Sequence, residues 1–255
     1  MNPVLEIDGV RKTFPLAKGK LEVLGGVSQK IEAGSFISIV GASGCGKSTL
    51  LRIISGLETA TEGQVRFHGK PVTEPTIEIG MIFQESRLFP WLTVKENIRF
   101  GIFKPSPRDD ELVREHMELV GLSDFADALP KQISGGMQQR VSIARTLINC
   151  PEILLLDEPF GALDALTRIQ MQKEILRIWQ AQKATMLLVT HDVDEAIFLS
   201  DRIIVLSNRP GRVKKCIPVG LSRPRDRNSA SFIAVRREIY QEFFQNSDLK
   251  VEYYI

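Results

Sequence analysis

The sequence predicts an α/β fold: a mostly parallel sheet with helices on both faces, an antiparallel β portion and an inserted helical portion. Three observations carry this. The runs FISIV at 36–40, ILLLD at 153–157, MLLVT at 186–190 and IIVLS at 203–207 are almost continuously apolar and of strand length, as strands buried on both faces are. Helically spaced stretches separate the later runs, and strands alternating with helices imply a parallel sheet. From about 95 to 150 the periodicity turns helical.

Taken in order, residues 4–34 show short alternating apolar runs broken around PLAKGK, which predicts antiparallel strands joined by a loop. FISIV leads into GASGCGKST at 41–49 and then a helix with Leu50, Leu51, Ile53, Ile54 and Leu57 on one face, ending at Gly56 or Leu57. Residues 63–82 return to strand-like pairs around a turn at His68-Gly69. Leu112, Val113, Met117, Leu119 and Val120 mark one helix, and Val141, Ala144, Leu147 and Ile148 another. Further helices are predicted at about 163–181 and 192–199. From Asn208 onward Pro210, Gly211, Pro218 and Pro224 break the pattern, before a short helix around 229–244.

Composition narrows the function classes. With 43% hydrophobic and 25% charged residues, neither disorder nor a collagen-like repeat is tenable. Lys and Arg number 33 against 31 Asp and Glu, a net charge of +2, too small to be an electrostatic footprint for nucleic acid. No stretch approaches the roughly 18–20 apolar residues of a spanning helix, so the chain is expected not to cross a membrane by itself. Glu6 and Asp8 lie where a signal peptide would be basic and then apolar. Cys45, Cys150 and Cys216 are odd in number and irregularly spaced, which fits a reducing compartment without a metal or disulfide framework. The cytoplasm is the expected location. His68 and His116 are expected to be solvated.

Two segments carry chemistry. Gly41-Ala42-Ser43-Gly44-Cys45-Gly46-Lys47-Ser48 fits G-x-x-x-x-G-K-[ST] between a buried strand and a helix start, the context in which this pattern binds phosphate. Glycines let successive N–H groups turn inward, and the helix N-terminus adds partial positive charge. Lys47 then reaches the β and γ phosphates and the Ser48 hydroxyl ligates Mg²⁺. Asp157 and Glu158 end the ILLLD strand, at the sheet edge where ligands bind. Asp157 suits a Mg²⁺ carboxylate acting through water, and Glu158 suits the group that polarises an attacking water.

Between these lies Ile133-Ser134-Gly135-Gly136-Met137-Gln138-Gln139-Arg140, which resembles the signature of ATP-binding cassette (ABC) proteins, commonly LSGGQ. In isolation it is also a Ser-capped helix start. The resemblance covers residues 4–216 and implies a P-loop NTPase, RecA-like core. It implies one ATPase domain over 1–216, a helical subdomain at about 85–150, and a tail at 217–255. It implies that Gly41 to Thr49 hold ATP and that Ser134, Gly135, Gly136, Met137 and Gln138 act in trans on a partner's ATP. Gln84 resembles the Q-loop glutamine, a Mg²⁺ and water ligand. Asp164 falls in a D-loop-like Gly161-Ala162-Leu163-Asp164, and His191 matches the switch histidine that orients Glu158. Phe14 occupies the place of the aromatic that stacks on adenine, and a core phenylalanine is the alternative there.

Met137, where the family usually has Gln, resembles the variant in ATPases of the nitrate, sulfonate and taurine importer group. LFPWLTVKENI at 88–98 and HDVDEAIFLSDRIIVLSNRPGRV at 191–213 resemble that group too. This implies a head-to-tail homodimer, transmembrane permease subunits, an extracytoplasmic solute-binding protein acting indirectly, and a peripheral location on the cytoplasmic face of the inner (plasma) membrane. The loop Ser86–Val94 is expected either to receive a permease helix, with Leu88, Phe89, Trp91 and Leu92, or to pack under the helical subdomain. Cys45, beside Lys47, is expected to have a lowered thiol pKa. The rival is a nucleic-acid or translation-associated ABC ATPase. Arg209, Arg212, Lys214, Lys215, Arg223, Arg225 and Arg227, against the single Asp226, would then form a phosphate-binding strip; a lipid-attracted tail or a solvated face are the other readings. No nucleic-acid partner is expected.

Overall fold

The computed structural model of the chain describes residues 3–161 and 163–243. Two compact units divide it, Met1–Thr73 with Leu187–Ile255, and Glu74–Met186.

In the first unit, β1 (Leu5–Leu16) pairs antiparallel with β2 (Gly19–Ile31) and with β4 (Glu62–Phe67), and β5 (Lys70–Pro71) completes a sheet of order β2-β1-β4-β5. PLAKGK is mostly strand rather than loop. Pro15 pairs with Lys20 and Leu16 with Gly19, leaving only Ala17-Lys18 to turn. Its exposed residues, without an alternating pattern, conceal a hairpin whose pairing comes from the backbone. The turn at His68-Gly69 is as the sequence predicts, both residues having positive φ.

The run FISIV forms β3 (Phe36–Val40), buried at every position, and it pairs in parallel with β9 (Arg202–Leu206). Next comes α1 (Lys47–Ile54), which ends two or three residues sooner than its apolar spacing predicts, leaving Leu57 50% exposed. β10 (Val213–Pro218) adds antiparallel to β9. Its proline and paired lysines hide it in the sequence, but these are edge-strand residues. Val193 and Ile197 of α6 (Val193–Leu199) share a core with Phe232 and Ile239 of α7 (Ala230–Phe243). The predicted helix at 229–244 is α7, and residues 244–255 of the tail lie outside the described residues.

In the second unit, β6 (Ile79–Ile82) and β7 (Ile153–Asp157) run parallel, Ile79 opposite Ile153 and Ile82 opposite Leu156. Around them are α2 (Val94–Arg99), α3 (Asp109–Leu119), α4 (Gly135–Leu147) and α5 (Ala165–Gln182). The fully buried β8 (Thr185–Val189) follows. Val94, Ile98, Val113, Met117, Val141 and Ala144 make the helical core. His116 is not solvated: it is buried, and its Nδ1 donates to Leu112 O at 2.8 Å. It lies three positions after Val113 on the same apolar face of α3, where a neighbour-by-neighbour reading overlooks it.

Loop 88–93 hangs on one side chain that no motif in the sequence marks out. Asn97 is fully buried; its Oδ1 accepts from Phe89 N–H at 2.9 Å, and its Nδ2 donates to the carbonyls of Leu92 at 2.9 Å and Thr93 at 3.0 Å. Replacing Asn97 with Ala strands these groups and is expected to cost about 1–3 kcal/mol. A urea titration checks this by a lowered midpoint at unchanged slope.

Candidate active site

The first unit carries the phosphate cradle. β3 ends at Val40, and the loop closes on Gly46, the N-cap of α1, at φ 106°. A Cβ there would lie 2.7 Å from Leu24 Cδ2 and 3.0 Å from Val23 O, so only glycine fits. No side chain caps α1 and its first turn holds no acidic residue, which suits that helix start to an anion. Lys47 is buried, and its Nζ donates to Gly41 O at 2.9 Å and Ala42 O at 3.0 Å. The ammonium is thereby held at the mouth of the loop. Ala42, Ser43 and Gly44 form an exposed rim, while Ser48 and Thr49 are half-buried.

Cys45 departs from expectation. Its thiol is 1% exposed, and burial raises its pKa; Lys47 and Arg209 pull the other way without prevailing. A cation next door lowers a thiol pKa only where desolvation does not dominate. Arg209 itself is a residue that motif reasoning missed. Its Nε donates to Gly44 O at 3.0 Å, and the surrounding turn backs the loop, with Gly211 N–H donating to Val23 O at 2.9 Å. The NRPGRV segment was the available signal.

His191 is in the same unit, exposed, between Thr190 and the N-cap Asp192 of α6. Thr190 N–H donates to Ile39 O at 3.3 Å, and Asp192 accepts from Glu195 N–H at 3.1 Å. Phe14 is half-buried on β1 rather than a core residue, with Lys12 Nζ 4.8 Å from its ring centroid.

The second unit carries the carboxylates. Asp157 closes β7 and is 6% exposed. Glu158 follows with φ 46°, a left-handed conformation that side chains seldom adopt and that recurs at functional sites. β6 is the parallel neighbour of β7, so Gln84, just past its end, shares an edge with Asp157 and Glu158. The loop after Gln84 is strapped to α4: Gln139 Nε2 donates to Phe83 O at 3.1 Å, Ser86 Oγ to Gln138 Oε1 at 3.2 Å, and Arg145 Nη2 to Ser86 O at 3.1 Å. A cleft of ≈ 450 Å³ opens there, lined by Gln84, Ser86, Gly135, Gln138 and Leu163 among others.

Ser134 is the N-cap of α4, accepting from Met137 N–H at 3.2 Å. A hydroxyl that accepts still has its proton to donate. Met137 packs against the helical core, which accounts for an apolar residue at the fifth signature position. Gly136 is required by packing, since a Cβ would meet Thr167 Cγ2 at 2.8 Å, whereas among the described residues nothing lies within 4 Å of one at Gly135. Asp164 caps α5, accepting from Leu166 N–H at 3.1 Å and Thr167 N–H at 3.0 Å, and its pKa is lowered first by a hydrogen bond with the Thr167 side chain and then by these backbone bonds. Ala162 lies outside the described residues. In the loop after Gln84, Trp91 is 70% exposed while Phe89 is half-buried, 4.4 Å from Phe100 ring to ring.

A buried strand feeding a glycine turn, a lysine at its mouth, and a strand-terminal Asp-Glu pair define the class of P-loop nucleoside-triphosphate hydrolases. Residues 24–161 match the ABC transporter family, and the chain belongs to it, as an ATP-binding ATPase. It is 46% identical over 239 residues to the aliphatic sulfonates import ATP-binding protein SsuB of Bacillus subtilis (strain 168), covering 94% of each chain. It is 47% identical over 242 residues to the uncharacterized ABC transporter ATP-binding protein MJ0412 of Methanocaldococcus jannaschii, covering 94% of this chain and 91% of that one. The dimeric post-hydrolysis structure of the ATP-binding cassette MJ0796, bound to ADP and Pi, superposes with a TM-score of 0.76 at 32% identity, over 86% of this chain and all of that one.

The buried thiol gives a direct test. In iodoacetamide labelling near neutral pH, the exposed Cys150 and Cys216 are expected to react well before Cys45. Cys45 labelling should rise only as pH climbs past the ordinary thiol range, because the thiolate is the reactive form. Peptide mass spectrometry across a pH series checks the order.

Proposed function

We propose that the chain is the ATPase subunit that energises import of a small anionic solute of the aliphatic sulfonate, taurine or nitrate type. The observation that carries this reading is near-full-length similarity to relatives named for aliphatic sulfonate import. The solute itself is chosen by a permease and a solute-binding protein. Two copies pack head to tail at the cytoplasmic face of the inner membrane, each lending its signature to the other's ATP. Gly135 supports that arrangement: glycine weakens a helix and packing within the chain does not call for it, whereas close approach by another backbone or a phosphate would.

In hydrolysis, Lys47 and the N–H groups from Gly41 to Thr49 neutralise the phosphates. Glu158 takes a proton from water as its oxygen attacks the γ phosphorus, and the bond to the bridging oxygen breaks, giving ADP and phosphate. His191 and Gln84 orient the reactants. The Ser48 hydroxyl, the Gln84 carbonyl and the buried Asp157 carboxylate are all oxygen donors, a set that suits Mg²⁺. Bound there, Mg²⁺ would offset phosphate charge. Loss of the γ phosphate removes what bridges the two copies, and the dimer opens.

Transmission to the permease runs through the loop Ser86–Val94. The exposure of Trp91 favours docking at that residue, whereas Phe89 is half-buried against Phe100. The nucleic-acid reading lacks support, because Arg209, Lys215, Arg223 and Arg225 of its basic strip are engaged within the chain.

Glu158→Gln is expected to keep ATP binding and to lose ~10²–10⁴ of turnover, read by nucleotide binding and phosphate release; near-normal turnover would overturn the role. Trp91→Glu should abolish sulfonate uptake in cells while the purified subunit still hydrolyses ATP. Joint loss of both would return Trp91 to a packing role. Deleting the gene is expected to prevent growth on an aliphatic sulfonate as sole sulfur source.

A further inference from the structure

The basic residues beyond Asn208 are not a uniform strip: Arg209, Arg212 and Lys214 are exposed, whereas Lys215, Arg223 and Arg227 are half-buried and Arg225 is buried. Lys215 pairs with Glu238 at 3.0 Å and Glu242 at 3.2 Å, and Arg209 is engaged at the P-loop. Three arginines converge instead on α6, the seven-residue helix that starts just after His191. So short a helix has little stability of its own.

Arg225, 8% exposed, donates through Nη1 to Ile197 O at 2.5 Å and Ser200 O at 2.7 Å, and through Nε to Leu221 O at 3.1 Å. These include carbonyls that a helix end leaves unsatisfied, at the pole that favours a cation. Burial lowers the Arg225 pKa to about 10, so it stays charged at neutral pH. Arg223 joins it, donating to Leu199 O at 2.6 Å and to Asp201 Oδ1 at 2.7 Å. At the other end of α6, Arg236 of α7 grips Asp194 with two bonds, Nε to Oδ1 at 2.5 Å and Nη2 to Oδ2 at 2.7 Å. Between the two ends, Phe232 and Ile239 pack on Val193, Ala196 and Ile197.

His191 is therefore fixed from both directions. The strand side is tied to β3 through Thr190, and the helix side is tied to the C-terminal segment. We propose that the segment from Val219 to Phe243 positions His191 for hydrolysis, with Arg236 and Arg225 as positioning residues acting through α6. This rests on the reading of His191 as the group that orients the reactants, and it gives the C-terminal segment a role in catalysis. Asp194 lies three residues past His191, so releasing Arg236 loosens the end of α6 nearest the imidazole. A displaced orienting group lowers turnover more than affinity.

The test compares Arg236→Ala, Arg236→Lys and His191→Ala in the full chain. Arg236→Ala is expected to lower kcat about five- to tenfold, with KM for ATP within about twofold and Tm nearly unchanged. Arg236→Lys should recover part of the loss, since an ammonium keeps the charge without the fork. The chain has three histidines, so ring resonances can be assigned by substitution. In Arg236→Ala the His191 signal should move while those of His68 and His116 stay. An unchanged kcat, an unmoved His191 signal, or a fall in Tm with all three signals shifting would each overturn the proposal. If His191→Ala hydrolyses ATP normally, the reading of His191 fails, and the ring signal still decides whether Arg236 holds its position.

Discussion

Backbone-to-backbone contact around the turn after β3 governs how the first unit is built. A phosphate-binding turn must hold its N–H groups pointing inward rather than spend them on the loop's own carbonyls. Here two segments distant in sequence hold the turn in shape. Gly46 lies so close to β2 that a Cβ would come within 3.0 Å of Val23 O, and one on Gly211 would be 2.1 Å from Cys45 O. Gly25 N–H donates to Gly211 O at 3.0 Å, which joins the N-terminal hairpin to the β9–β10 turn behind the loop. The antiparallel sheet and the β9–β10 edge thus serve the chemistry of a loop that belongs to neither.

A similar division of labour holds in the second unit. Asp157 ends β7 and Glu158 follows it directly, and a strand buried at every position fixes its last residue firmly. Gln84 is on a loop, and loops move unless tied. Side chains of α4 supply the ties, and α4 also begins with the signature residues. Motion of the helical core would therefore carry Ser134 and the Gln84 loop together. Gly135 and Gly136 look alike in sequence and differ in cause, one required by Thr167 beside it and the other left open toward the outside.

A near-neutral composition concealed a strongly uneven use of charge. Arg225 crosses from the C-terminal segment to satisfy α6, and Arg209 reaches the P-loop. Arg225 is buried and finds carbonyls rather than solvent, which is how a charged group remains inside a protein, whereas Arg209 lies exposed over the carbonyl it reaches. An apolar residue of similar size at either place would leave those carbonyls without the donor they have.

The strands buried on both faces, the glycine turn with Lys47 and Ser48, the Asp157-Glu158 pair and the Ser134 cap were legible in the sequence, because each is a local chemical requirement written at fixed spacing. The PLAKGK hairpin and β10 were not, since their pairing uses backbone groups that every residue carries. The burial of Cys45 and His116, and the partners of Arg209, Arg225 and Arg236, emerged only from the folded chain. Desolvation depends on which distant segments pack over a group. Arg209 and Gly44 meet across 165 positions, a contact that periodicity does not encode.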